Sequence, residues 1–362
     1  MDKTHWRVAL VGLDHMHAGD QFALMKQLES TQFVGVWDRD AVRLAKFGDE
    51  LGIAESERYT DLERLLREQC PDVAVVCSTT KEHEELASML ADAGIHVLLE
   101  KPFAFDLAAA TRIVAAAERA NVQVGVNWPL AWYPSHRTTY RLISQGALGR
   151  VTEVHYYDGN RGPLFHTHGK KIIDTVTART IKDGSWWYDP EQGGGSLRDY
   201  LGYGVTLATW FRAGELPIDV SAQVYRAPGD SVDEQAVVVA RYPEALSTFQ
   251  TRWGTFTDPW THQPAPRCGF VVVGTDGTIT SWDYAEHVTL QTHEIPEGTE
   301  VPVDVIPDHE SGGLANFVWC LTEHAALDGP LSAEISLAGQ RIVQAAIRSV
   351  ETGTTIELEN LA

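Results

Sequence analysis

Residues 8–22 read VALVGLDHMHAGDQF. Four apolar residues, Val8–Val11, run straight into Gly12. Beyond the turn, Ala18, Phe22, Met25 and Leu28 recur at three- and four-residue spacing, which gives a helix one apolar face. A buried strand, a glycine turn and a helix open a βαβ unit, and a G-x-G-x-x-G turn there cradles a dinucleotide pyrophosphate. In this chain the three glycine positions hold Gly12, Asp14 and His17. Gly12 keeps the tight turn. Asp14 puts a carboxylate where phosphate should approach, and His17 puts a ring where the helix should pack close to the strand. The expected resolution is that Asp14 caps the helix through backbone N–H groups while His15 faces the pyrophosphate.

The pattern continues outward from that turn. FVGVWD (33–38), DVAVVCS (72–78), HVLLE (96–100) and VQVGVN (122–127) are short, valine-rich apolar runs. Such runs suit parallel strands buried on both faces. DLERLLREQC, KEHEELASMLADAG and DLAAATRIVAAAERA alternate with them as helices, with Asp61 and Asp106 as N-caps and Gly94 as a stop. The fold class is therefore α/β, beginning with a doubly wound parallel sheet over residues 1–126. After Asn127 the runs lengthen and alternate: VTEVHYYDGN, AVVVARY, LSTFQTRW, FVVVGTDGTITSW and HVTLQTHE. GTDGT (274–278) marks a hairpin. Residues 127–362 are expected to form a second α/β domain with a large, open, mostly antiparallel sheet. An open sheet with an apolar face seeks a partner, so a homodimer or homotetramer is expected.

The charge balance narrows the function. The 362 residues carry 29 Lys and Arg against 50 Asp and Glu, a net charge of −21. Such a chain repels phosphate backbones and is not expected to bind nucleic acid. No run of about 18 apolar residues suggests a membrane span, and no export signal is read at the start. Cys70, Cys77, Cys268 and Cys320 form no C-x-x-C pair, which suits a reduced, cytoplasmic protein. No metal is expected, since H-x-H at 15–17 and again at 166–168 can arise by chance among 14 histidines.

Three further places carry chemistry. Asp38 ends the second strand, 26 residues after Gly12, where a carboxylate accepts the ribose hydroxyls and repels a 2′-phosphate. That favours NAD over NADP, with Arg39 able to cover the adenine or to tolerate a phosphate. In LLEKPFAF (98–105), Glu100 and Lys101 stand at the carboxyl end of a buried strand, where doubly wound folds bind ligands. A cis Lys101–Pro102 bond would fix this turn. In GGGSLRDYLGY (193–203), Asp199 and Tyr203 share a helical face. A lysine, a tyrosine and an acid make a proton relay for alcohol oxidation. The clustered tryptophans of WWYDP, NWPLAWYP and RWGTFTDPW suit a sugar face or a core equally.

Together these residues resemble the glucose–fructose oxidoreductase/inositol dehydrogenase/MocA family over essentially the whole chain. Glu100–Lys101–Pro102 is the most specific marker, supported by CSTTKEH (77–83), GALGRV (146–151), GGGSLRD, GTDGTI (274–279) and the closing SAEISLAGQRIVQAAIRSVETGTTIEL. The resemblance implies a nicotinamide cofactor and oxidation of a sugar, glycoside or cyclic polyol. Lys101 carries over as the catalytic lysine and Asp199 as the acid of the D-x-G-x-H pattern, whose histidine is Tyr203 here and whose glycine is Leu201. The cofactor-facing residues implied are Gly12, Asp14, His15, Met16, Asp38, Arg39, Ser78, Thr79, His83, Glu100, Lys101 and Asn127. An arginine often found after Asn127 is replaced by Trp128–Pro129–Leu130. Trp128, Arg161, His166 and Trp187 are the candidates for the substrate wall. The family also leaves open a redox-neutral sugar conversion or glycoside cleavage with tightly held NAD, and a non-catalytic regulator.

Overall fold

The computed structural model describes residues 5–361. The chain divides into two compact units. One comprises residues 5–127, 166–180 and 308–333, and the other residues 128–165, 181–307 and 334–361. No helix among the described residues is long and apolar enough to cross a membrane.

The first unit is built on strands β1 (Trp6–Val11), β2 (Thr31–Trp37), β3 (Arg58–Tyr59), β4 (Val73–Val76), β5 (His96–Glu100) and β6 (Val124–Asn127). They form one parallel sheet in the order β3-β2-β1-β4-β5-β6. This order reverses direction at β1 and β4, and ligands of such sheets bind at the carboxyl ends there. Helices α1 (Ala18–Gln27), α2 (Ala41–Leu51), α3 (Leu62–Gln69), α4 (His83–Asp92) and α5 (Leu107–Ala120) connect the strands. Every residue of β4 and β6 is buried, as the unbroken apolar runs require. Asp61 caps α3 through the Arg64 N–H, and Asp106 caps α5 through the Ala109 N–H. The two-residue β3 had no signal in the sequence, because so short a strand carries no period. The bond between Lys101 and Pro102 is cis.

The second unit begins with α6 (Pro134–Ser144) and β7 (Val151–Asn160). Strands β8 (His166–Thr167) and β9 (Lys171–Ile172) pair as a short hairpin in the first unit, ahead of α7 (Thr175–Lys182). Then follow α8 (Ser196–Phe211), β10 (Asp219–Tyr225), β11 (Gln235–Arg241), β12 (Leu246–Trp253), β13 (Gly269–Gly274), β14 (Gly277–Trp282), β15 (His287–Thr292) and β16 (Thr299–Pro302). Helix α9 (Gly313–Thr322) belongs to the first unit, and α10 (Ala333–Thr352) and β17 (Ile356–Glu357) close the chain. The large sheet runs β16-β15-β14-β13-β7-β12-β11-β10-β17. Its neighbours are antiparallel except β7 and β12, which pair in parallel. Thr275 and Asp276 make the β13–β14 turn, where the sequence expected a hairpin.

A buried polar network lies within this second unit. Asp158 on β7 accepts hydrogen bonds from the Tyr156 hydroxyl (3.0 Å) and the Gly159 N–H (2.7 Å). Asp283 stands 2.7 Å from Nε2 of His136, whose Nδ1 lies 2.8 Å from the Ser281 hydroxyl. Burial, with the charge of Asp283 added, pushes Asp158 up to about 8. The carboxyl is therefore protonated near neutrality in the folded chain but ionised in the unfolded one. Its stabilising contribution is complete below about pH 4 and is lost as pH rises toward 8. Asp158→Asn should flatten the stability profile across that window and raise the melting temperature at pH 8. An unchanged pH profile in thermal melts would contradict this.

Gly12 is the backbone constraint of the first unit. Its φ is +79°, and a Cβ there would lie 2.8 Å from the Ser78 nitrogen and 2.9 Å from the Ser78 Cα. Both strain and overlap fall on backbone that cannot move aside. Gly12→Ala is expected to destabilise the chain by about 2–4 kcal/mol, read as a lower denaturant midpoint.

Candidate active site

The turn after β1 shows how two missing glycines are accommodated. The Gly12 N–H donates to the Trp37 carbonyl (2.8 Å) and the His15 N–H to the Cys77 carbonyl (2.9 Å), so the turn is tied to β2 and to the end of β4. Asp14 does not cap α1. The N-cap position is His17, which makes no side-chain cap hydrogen bond. Asp14 pairs instead with Arg43 on α2 at 2.7 Å. Burial raises its pKa, and Arg43 opposes that rise. The guanidinium of Arg43 also makes a two-pronged contact with Asp38, 2.9 Å on each side. Asp38 is buried and accepts the Leu13 N–H (2.8 Å) and the Asp40 N–H (2.7 Å) as well. One arginine thus binds the acid of the turn to the acid that ends β2. The sequence reading missed Arg43. Its signal was charge arithmetic, since two carboxylates placed together at a phosphate site need a cation.

Glu100 is the other fixed point. Its side chain is fully buried at the end of β5. Oε1 accepts hydrogen bonds from Gln21 (2.8 Å) and Asn127 (2.6 Å). Oε2 lies 3.2 Å from Nδ1 of His17 and accepts the Lys101 N–H at 3.2 Å. Burial alone would raise its pKa. The neighbouring His17, and the hydrogen bonds from His17, Asn127 and Gln21, more than offset that and hold the carboxyl below the usual range. His17 therefore works as a partner for Glu100 rather than as a spacer between helix and sheet. Gln21 follows it by one helical turn and is buried on the same face of α1. A polar residue on an otherwise apolar face was the available hint.

The remaining first-unit candidates surround these anchors. Lys101 is 5 % exposed. His15 is buried, and burial, then the charges of His17, Lys101, His83 and His166, hold its pKa well down. His83 opens α4, and its Nδ1 lies 3.1 Å from the Phe103 carbonyl. Ser78 and Thr79 are buried between β4 and α4, and the Ser78 hydroxyl donates to the Thr79 carbonyl (3.1 Å). Met16 is half-buried on the turn, while Arg39 is exposed and pairs with Glu82. His166 is buried in the first unit, on β8.

In the second unit the acid and the tyrosine share α8, both buried. Two contacts explain the glycines before it. A Cβ on Gly194 would lie 2.3 Å from the Trp187 carbonyl oxygen, and Gly195, at φ +110°, would meet Asp233. Asp233 in turn accepts the Leu197 N–H at 2.8 Å, anchoring the start of the helix. Oδ2 of Asp199 accepts the indole N–H of Trp253 (3.1 Å), a partner that sequence reading did not single out. The rings of Tyr203 and Trp128 meet edge to face with centroids 5.5 Å apart. Trp187 stacks on Trp186 at 3.8 Å and meets Trp253 edge-on at 6.5 Å. The Arg161 N–H donates to Asp258 (3.0 Å), and its guanidinium covers Phe165.

Residues 6–128 match the family model described as "Oxidoreductase family, NAD-binding Rossmann fold", and residues 136–280 match the GFO/IDH/MocA C-terminal domain. D-apiose dehydrogenase from Paraburkholderia graminis is 31% identical over 136 residues, 38% of this chain and 34% of that protein. The match thus spans about a third of that relative's length. 1,5-anhydro-D-fructose reductase from Ensifer adhaerens is 25% identical over 339 residues, 91% of each chain. Among solved structures, an oxidoreductase from Agrobacterium radiobacter in complex with NAD+, L-tartaric acid and magnesium superposes with a TM-score of 0.77 at 20% identity, over 99% of this chain and 100% of that one. With both family domains matched in order, and a β3-β2-β1-β4-β5-β6 sheet beneath the first of them, the chain belongs to the glucose–fructose oxidoreductase/inositol dehydrogenase/MocA family.

Proposed function

We propose that the protein is an NAD-dependent oxidoreductase that oxidises a hydroxyl of a sugar, glycoside or cyclic polyol. The observation that carries this reading is the end of β5. There a fully buried Glu100, clamped by four donors, sets the backbone of an almost buried Lys101. A lysine on a solvated surface turn needs no such support. The matched domain supports NAD, and the relatives named for apiose, inositol and anhydrofructose support a carbohydrate or polyol substrate.

The residues present fit a dinucleotide. Gly12 holds the tight turn, and the N-terminus of α1 presents backbone N–H groups with the helix dipole behind them. Arg43 draws the Asp14 carboxylate onto itself, which spares a pyrophosphate the repulsion of an unpaired acid. Asp38 is the ribose-facing acid that favours NAD over NADP. Bound there, the nicotinamide supplies the hydride acceptor for the carbinol C–H. Lys101 and Tyr203 are the pair that receives the hydroxyl proton as the carbonyl forms, and Asp199 orients and electrostatically supports them. Asn127 and Glu100 line the nicotinamide-ribose side, and Trp128, Arg161, His166 and Trp187 are proposed for the substrate wall.

Two measurements test this reading. Lys101→Met should lower kcat by about 10²–10⁴-fold on a responsive sugar or polyol while NAD+ affinity stays within a few-fold. Full activity in that variant would sink the relay. Arg43→Ala should raise the NAD+ dissociation constant by roughly 10–100-fold, because two clustered carboxylates lose their shared cation. Arg64→Ala, which removes an exposed pair with Glu68 on α3, should change it by less than about threefold. Equal effects of the two arginine substitutions would contradict the role given to Arg43.

A further inference from the structure

We propose that His15, His17 and Glu100 form a binding site for a divalent transition-metal ion of the zinc or cobalt type. The H-x-H pair at 15–17 carries no weight in the sequence. In the folded first unit it converges with Glu100, and one ligand atom from each of the three residues lies within 4.8 Å of the others. Two imidazoles and a carboxylate are a familiar donor set for zinc, with a fourth position left to water. A tetrahedral ion with bonds of about 2.0–2.1 Å places its ligands roughly 3.4 Å apart. The group's spread, up to 4.8 Å, therefore has to close by up to about 1.4 Å. The His17 ring, a quarter exposed, provides both that adjustment and a way in for the ion.

What distinguishes this cluster from a chance meeting is the set of bonds that aim it. Metal sites depend on outer partners that fix each ligand's orientation. Gln21 and Asn127 both bind Oε1 of Glu100, which leaves Oε2 directed toward His17. His15 accepts the His17 N–H at Nδ1 (3.2 Å), so Nε2 is its ligand atom. Its own N–H is tied to Cys77 at 2.9 Å, and this holds the turn that carries both rings. The two rings meet with centroids 4.5 Å apart. The charge surroundings set the class of ion. Among the described residues the group holds two imidazoles and one carboxylate, that of Glu100. Hard, oxygen-seeking Mg²⁺ or Ca²⁺ gains little there, whereas ions that bind imidazole strongly are favoured.

The site does not depend on the oxidoreductase reading, and its test needs no turnover. Nucleotide-free protein is titrated with Co²⁺ and followed by visible d–d absorption. The expected result is one Co²⁺ per chain with an intense tetrahedral-type band, discharged by Zn²⁺. His17→Ala and Glu100→Gln should each weaken binding at least tenfold, with folding checked by thermal melts. His17→Ala keeps the test decisive if the Glu100 variant does not fold, since that ring is partly exposed. His168→Ala, which removes a histidine of the other H-x-H pair, should leave the band intact. Absence of the band, its persistence in a folded His17→Ala, or its loss in His168→Ala would overturn the assignment.

Discussion

The first unit depends on one buried carboxylate. Taking an ionised acid out of water costs several kcal/mol unless donors replace the lost hydration. Glu100 is fully buried and has four such donors, from the first turn, from α1, from β6 and from the backbone of Lys101. That single group therefore sets the relative positions of the dinucleotide turn, the first helix and the proposed catalytic lysine. Removing any one donor leaves part of a buried charge unmatched.

A second interaction solves the problem raised by the altered glycine turn. A carboxylate at the second glycine position is a liability only while it is unpaired. Arg43 lies between Asp14 and Asp38, so the liability becomes a bridge between the ends of β1 and β2. The lost third glycine follows the same logic. His17 takes up space that glycine would have left open, and returns it as a contact to Glu100. Both substitutions replace a close backbone approach with a polar side chain whose partner lies elsewhere in the same unit.

Much of this was legible in the residues. The parallel sheet followed from valine-rich runs, the large sheet from alternation, and the positions of Glu100 and Lys101 from a strand that ends abruptly in Lys-Pro. The sequence misled where a side chain's partner is distant along the chain. Asp14 had a local use as a helix cap, yet it bonds a residue 29 positions away (43 minus 14). The contact between the H-x-H pair and Glu100 was out of view because Glu100 follows His17 by 83 residues. Asp158 and Asp283 gave no hint of a shared environment, since strand pairing alone brings β7 near the end of β14. Local periodicity reports the elements, and only tertiary pairing reports which charges share a site.

A turn reading Gly12, Asp14, His17 is proposed to bind a dinucleotide because Arg43 holds Asp14 away from the phosphates. A crystal structure of the protein soaked with NAD+ tests this most directly. Pyrophosphate oxygens are expected at the N-terminus of α1, with the Asp14–Arg43 pair intact. A structure with no dinucleotide at saturating NAD+, or with Asp14 released from Arg43 and facing the pyrophosphate, would contradict it.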